Sequence, residues 1–184
     1  MRSRVSPAAL LWSRRAVRFA CATVLVALGV TAWLMRTPYR AAEAVASAWA
    51  ADHLLTAPVF AYPAEALIFV GRPVQLAFEI TPECSSLVVA LTFLFGSATL
   101  AVVAPRFRMR RILTALAVAG ALALGINVLR VVIIVVASSQ WGHGIGYGLS
   151  HESVGSTLTV FGVAFALLCY LWMLARDRTP AGVP

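Results

Sequence analysis

Hydrophobic positions fall into four long runs, at 16–35, 85–104, 112–137 and 154–174, separated by short polar segments except between the first two. Each run has about 20 residues or more, enough at ~1.5 Å per helical residue to cross a hydrocarbon core of ~30 Å. The long interval 36–84 has a different pattern. Its Ala-rich part, 39–56, carries Val45, Trp49 and Leu54 or Leu55 at helical spacing, with Glu43 and Asp52 elsewhere, and predicts an interfacial helix whose large apolar residues share one face. Pro58 and Pro63 interrupt it. Residues 66–70 and 74–81 then flank Gly71-Arg72-Pro73, and the second run alternates Val74, Leu76, Phe78 and Ile80 with Gln75, Ala77 and Glu79, which predicts a β-hairpin. The expected architecture is an all-α membrane protein, one domain over 1–184, with a four-transmembrane-helix bundle and an insertion at 36–84 holding a small helix and a hairpin.

Composition agrees with that class: mean hydropathy is +0.87 and only 12% of residues are charged. The first apolar run follows Arg14, Arg15 and Arg18 but is too long for a signal-peptide core. Its exit, Arg36-Thr37-Pro38, is not a small-residue cleavage site, so a retained helix is expected. All fifteen basic residues are arginine. Five lie in the N-terminal segment (Arg2, Arg4, Arg14, Arg15 and Arg18), four lie at 106–111 and two follow the last run, whereas 36–84 carries three against five acids and 138–153 carries none. Eleven arginines therefore alternate with three across the membrane, and the positive-inside rule places both termini in the cytoplasm and 36–84 outside the cell membrane. The net charge of +8 arises from juxtamembrane arginines suited to anionic membrane lipid and implies no nucleic-acid partner.

Three reactive residues converge on the expected outer face. Thr81-Pro82-Glu83-Cys84 reads as a helix start, with a hydroxyl cap, proline at the first position and an acid in the first turn. This puts Cys84 in the first turn of the second span, where the helix dipole favours a thiolate. Cys21 and Cys169 sit within apolar runs and read as small core hydrophobes. Arg130 lies inside the third run, where a permanent guanidinium needs a polar cavity or a partner, and Asn127 sits one turn deeper on the same face. Residues 138–148 read as a Gly-rich loop ending at Ser150, with His151 in the first turn of the fourth span and Gly155 one turn further on. His143, flanked by glycines, is the rival imidazole. A thiol, an imidazole and a fixed cation on one face are the parts needed for acyl transfer.

The pieces Glu83-Cys84-Ser85-Ser86, Asn127-x-x-Arg130 and His151-x-x-x-Gly155, each placed at or within a span, resemble the exosortase/archaeosortase family of membrane cysteine transpeptidases over about residues 66–174. Ser86 departs from the glycine often found after Cys-Ser in that family. The resemblance implies catalytic roles for Cys84, Arg130 and His151, supporting roles for Asn127, Glu83, Ser85 and Gly155, and no cofactor or metal. It also implies, as partners, secreted proteins that end in a short motif, a transmembrane helix and a basic tail. Two other readings fit the same residues. In one, a non-catalytic assembly or anchoring subunit pairs Arg130 with Glu83 or Glu152; in the other, Cys84, His143 and His151 hold a metal ion on the outer face.

Overall fold

A computed structural model describes residues 7–148 and 153–176. It contains five α-helices and a three-stranded sheet: α1 (Pro7–Leu34), α2 (Arg36–Asp52), β1 (Val59–Tyr62), β2 (Leu67–Val70), β3 (Leu76–Glu79), α3 (Leu87–Val103), α4 (Met109–Gly142) and α5 (Ser156–Ala175). Three segments, Arg15–Leu34, Met109–Gly142 and Ser153–Ala175, are long and apolar enough to cross a membrane, while α3 is a shorter apolar helix of 17 residues. Helix α4 is central. It packs against α2, α3 and α5, while α1 lies along α3.

Two cores form along α4. The lower one joins Leu25, Phe93, Ala101, Ile112, Ala119 and Ala166, with a hydrogen bond between the Ser97 and Tyr170 hydroxyls (2.8 Å) linking α3 to α5. Large side chains such as Val24, Trp33, Val160, Phe161, Leu168 and Trp172 point outward from α1 and α5, as expected for a surface solvated by lipid rather than water. Small residues permit close packing at the seams. A Cβ on Gly162 of α5 would collide with Ile126 of α4, and one on Gly29 would collide with Phe95 of α3. Arg18 closes the far end of α3 by donating to the carbonyls of Ala101 (3.0 Å) in its last turn and of Ala104 (3.4 Å), Pro105 (2.9 Å) and Phe107 in the loop that follows.

The upper core, with Ala44, Ala48, Ile68, Val70, Phe78, Val131 and Val135, joins α2, the sheet and the outer half of α4. The helix expected at 39–56 forms as α2: its packed face is Glu43, Ala44, Ser47, Ala48 and Ala51, whereas Val45 and Trp49 are exposed, as is Leu54 just beyond the helix. Small residues let α2 approach α4 and the sheet closely, and the bulky apolar ones are left for the interface. Two other sequence expectations need correction. The hairpin gains a third strand. Antiparallel order β1-β2-β3, with Phe60 opposite Phe69 and Ile68 opposite Phe78, uses a segment whose two flanking prolines concealed it. Finally, 138–148 is not a loop: α4 continues to Gly142, which adopts φ +78°, and His143–Tyr147 form a π-helical turn. Gly142 acts as a left-handed helix cap, and Gly146 is packed so tightly on Ala137 and Ser138 that a Cβ would meet backbone.

Gly162→Val is expected to force α4 and α5 apart and to lower stability in detergent by about 1–3 kcal/mol. Ile126→Ala in the same chain should recover much of the loss. Thermal unfolding of the two single variants and the double variant measures this coupling.

Candidate active site

Cys84 does not sit in the first turn of α3. Pro82–Cys84 form a separate 3-10 turn, Ser85 is extended (φ −89°, ψ 143°), and α3 starts only at Leu87, whose N–H donates to Ser85 Oγ (3.2 Å). Thr81 makes no side-chain cap to the turn's backbone. Its hydroxyl instead bonds the Glu83 carboxyl, which is held below the usual range by the residue's own N–H, by that hydroxyl and, more weakly, by Arg40. A carboxyl lowered in this way supports the turn above the ordinary glutamate range, and the support is lost as pH falls through the lowered value.

Glu43 is the reason the turn and the helix separate. This side chain, 1% exposed, reaches from α2 and accepts three hydrogen bonds on Oε1: from the Ser86 N–H (2.9 Å), the Ser86 hydroxyl (2.7 Å) and the Asn127 amide (2.9 Å). Because Ser86 donates to Glu43, the Tyr39 hydroxyl donates in turn to Ser86 Oγ (2.8 Å). Burial pushes the Tyr39 hydroxyl's pKa up and the nearby Glu43 charge adds to the rise, although its bond to Ser86 acts the other way, so Tyr39 stays protonated as a donor at neutral pH. Arg40, one residue on, donates to the Ile80 carbonyl (3.1 Å) and stands 3.9 Å from Glu79. Helix α2 thereby fastens both ends of the 80–86 segment.

The segment delivers Cys84 to α4. Arg130 Nη2 donates to Cys84 Sγ (3.8 Å), joining residues 46 apart in the chain. Arg130 is 9% exposed and is in no ion pair among the described residues, so the pairing with Glu83 considered from sequence does not form; Glu152 lies outside the described residues. Its guanidinium borders two spaces. One, about 240 Å³, lies between β3 and the outer part of α4 and includes Thr81, Cys84, Ile134 and Tyr147. The other, about 300 Å³, lies among α3, α4 and α5 and includes Glu83, Ser85, Asn127, Thr159 and Gly162. An apolar groove of about 470 Å³ between α3 and α5 continues from it, sharing Val88, Val89 and Val163.

Five of the seven site residues expected from sequence are therefore placed around these spaces: Glu83, Cys84, Ser85, Asn127 and Arg130. Gly155 is buried at the start of α5. His151, with Ser150, lies outside the described residues, as does the side chain of His143. Cys21 and Cys169 sit on α1 and α5, within the membrane-spanning helices. Glu43 was not singled out in the sequence as a site residue. The signal that exposes it is its spacing with Ala44, Ser47, Ala48 and Ala51, since an acid within a small-residue helix face must meet donors when that face is covered.

The fold and site define a multi-pass membrane protein in which a cysteine and a buried arginine meet at one end of the bundle. Residues 8–170 match the family described as transmembrane exosortase, and the chain belongs to that family. No curated protein and no solved structure matches the chain.

Glu43→Ala leaves three donors without their acceptor and is expected to destabilise the fold by several kcal/mol at ~1–3 kcal/mol per buried unpaired group. Glu43→Gln keeps one carbonyl oxygen and should lose much less. Thermal melts of the two variants in one detergent distinguish them.

Proposed function

We propose that the protein is a cysteine transpeptidase or protease of the cell membrane that cleaves the C-terminal sorting signal of secreted proteins through a thioester. The observation that carries this reading is the contact between Arg130 and Cys84, which share the recess along β3, while Arg130 also borders the second space among α3, α4 and α5. Arginine distribution puts that end of the bundle outside the cell and both termini in the cytoplasm. In this reading α3 is a fourth span. Its 17 residues cover about 26 Å at ~1.5 Å each, close to the ~30 Å of a hydrocarbon core.

The chemistry follows from the groups present. Cys84 sulfur attacks the peptide carbonyl just outside the substrate's transmembrane helix, and the charge that develops on the carbonyl oxygen is stabilised by Arg130, a cation that cannot lose its proton. The carbon–nitrogen bond breaks as the carbon–sulfur bond persists. The thiol proton, carried by His151, ends on the leaving amine. An acceptor amine or water then attacks the thioester and restores the thiol. Asn127 and Glu83, together with Ser85 and Gly155, shape the surroundings without touching the reacting atoms. The substrate's helix lies against the membrane groove and its basic tail remains at the cytoplasmic face.

The test uses a secreted reporter carrying the motif, helix and basic tail of a protein encoded by the producing genome, with processing followed by its mass shift. Cys84→Ala, Arg130→Ala and His151→Ala are each expected to lower processing by at least about 100-fold, the scale for losing a nucleophile or a charge-stabilising group. Cys21→Ala and Cys169→Ala should process normally. Normal processing by Cys84→Ala would overturn the reading.

A further inference from the structure

The sheet ends in an open edge that points into the recess. Strand order places β3 at the margin, and the Ile80 N–H donates to the Ala66 carbonyl (3.0 Å). With Ile68 opposite Phe78, antiparallel alternation turns the Phe78 N–H and C=O toward β2 and those of Ala77 and Glu79 away from it. Among the described residues no other backbone segment bonds that outer side. The recess of about 240 Å³ runs beside Ala77–Thr81 and reaches Cys84 and Arg130, with Ile134 and Tyr147 forming the opposite wall. A row of unpaired N–H and C=O groups is a template for one more strand.

We propose that this edge receives the extended substrate segment immediately before the scissile bond as a fourth strand. The inference rests on the reading of Cys84 as the acyl acceptor. It commits to a direction. β3 runs toward Cys84 through Ile80, Thr81 and the 3-10 turn, and the acyl half of the substrate must end at Cys84, so the peptide runs parallel to β3. Four strand residues span about 13 Å at ~3.3 Å each, which matches three or four substrate residues. A second copy of the chain fits poorly, because its sheet would have to enter a space already closed on one side by α4. Parallel addition also dictates how sequence is read. Alternate substrate side chains face Ile134 and Tyr147, and the intervening ones face away, so recognition is strict at every second position.

The probe is a mixed-sequence library of tetrapeptides ending in a vinyl sulfone, compared with methyl vinyl sulfone on the purified full chain. Adduct formation at Cys84 is followed by peptide mapping. The library is expected to alkylate Cys84 about tenfold faster than the small reagent, a preference of ~1.4 kcal/mol. Ala77→Pro removes an outward N–H while leaving pairing to β2 intact, and should bring the ratio of the two rates back toward one. Independently of any variant, N-methylation of single probe amides should lower the rate at alternate positions only. An unchanged ratio in Ala77→Pro, or a loss independent of which amide is methylated, overturns strand addition and leaves the proposed activity standing. A wild-type ratio near one overturns both. An Ala77→Cys protein that oxidises in membranes to a pair linked through that residue would assign the edge to a second copy and overturn the proposal.

Discussion

One carboxyl oxygen carries the outer half of the molecule. Glu43 Oε1 accepts from the Ser86 backbone, the Ser86 hydroxyl and Asn127, so α2, the turn after β3 and α4 meet at a single buried atom. A buried polar group is costly without partners and stabilising once they are supplied. Losing any one donor leaves the buried oxygen with fewer partners and loosens the other two contacts with it. Cys84 and Arg130 are neighbours of this junction. Cys84 lies two residues before Ser86 and Arg130 one turn after Asn127, so the separation of sulfur from guanidinium follows from what Glu43 holds.

The two cores divide the work. In the lower core, small residues at helix seams and the Arg18 bonds to the end of α3 fix the bundle without any charged side chain in its centre. In the upper core, the sheet and α2 roof the end of α4 with apolar contacts from Ile68, Val70 and Phe78. Arg130 stands between them. Its guanidinium donates to the Cys84 sulfur and borders the two recesses rather than lipid.

Much of this was legible in the sequence, and the unread part has definite causes. Apolar runs located α1, α4 and α5, the three described helices long enough to cross a membrane, and the shorter α3, because segments of that length with so little charge have few other uses. Period-two alternation located β3, and the apolar run across Gly71-Arg72-Pro73 from it located β2. It missed β1, where four residues between prolines are too short to show a period. Helical spacing found α2 and grouped its large apolar residues on one face, but it did not show that the opposite face of alanine, serine and Glu43 is the one packed against α4 and the sheet. The start of α3 was misread because capping rules are local, and the bond from Glu43 to the Ser86 N–H comes from 43 residues away. Asn127 and Arg130 were found because intramembrane polar groups demand an explanation from sequence alone.

Helix α4 is one unbroken rod of 34 residues, about 51 Å long at ~1.5 Å per residue, well beyond the ~30 Å of a hydrocarbon core. Both the Glu43 junction and the sulfur contact are anchored to its side rather than to lipid. A change in bilayer thickness that is met by tilt of the whole rod leaves distances within the junction unchanged. The chemistry is in this sense referenced to an internal ruler, so the same geometry can be presented in membranes of differing lipid composition.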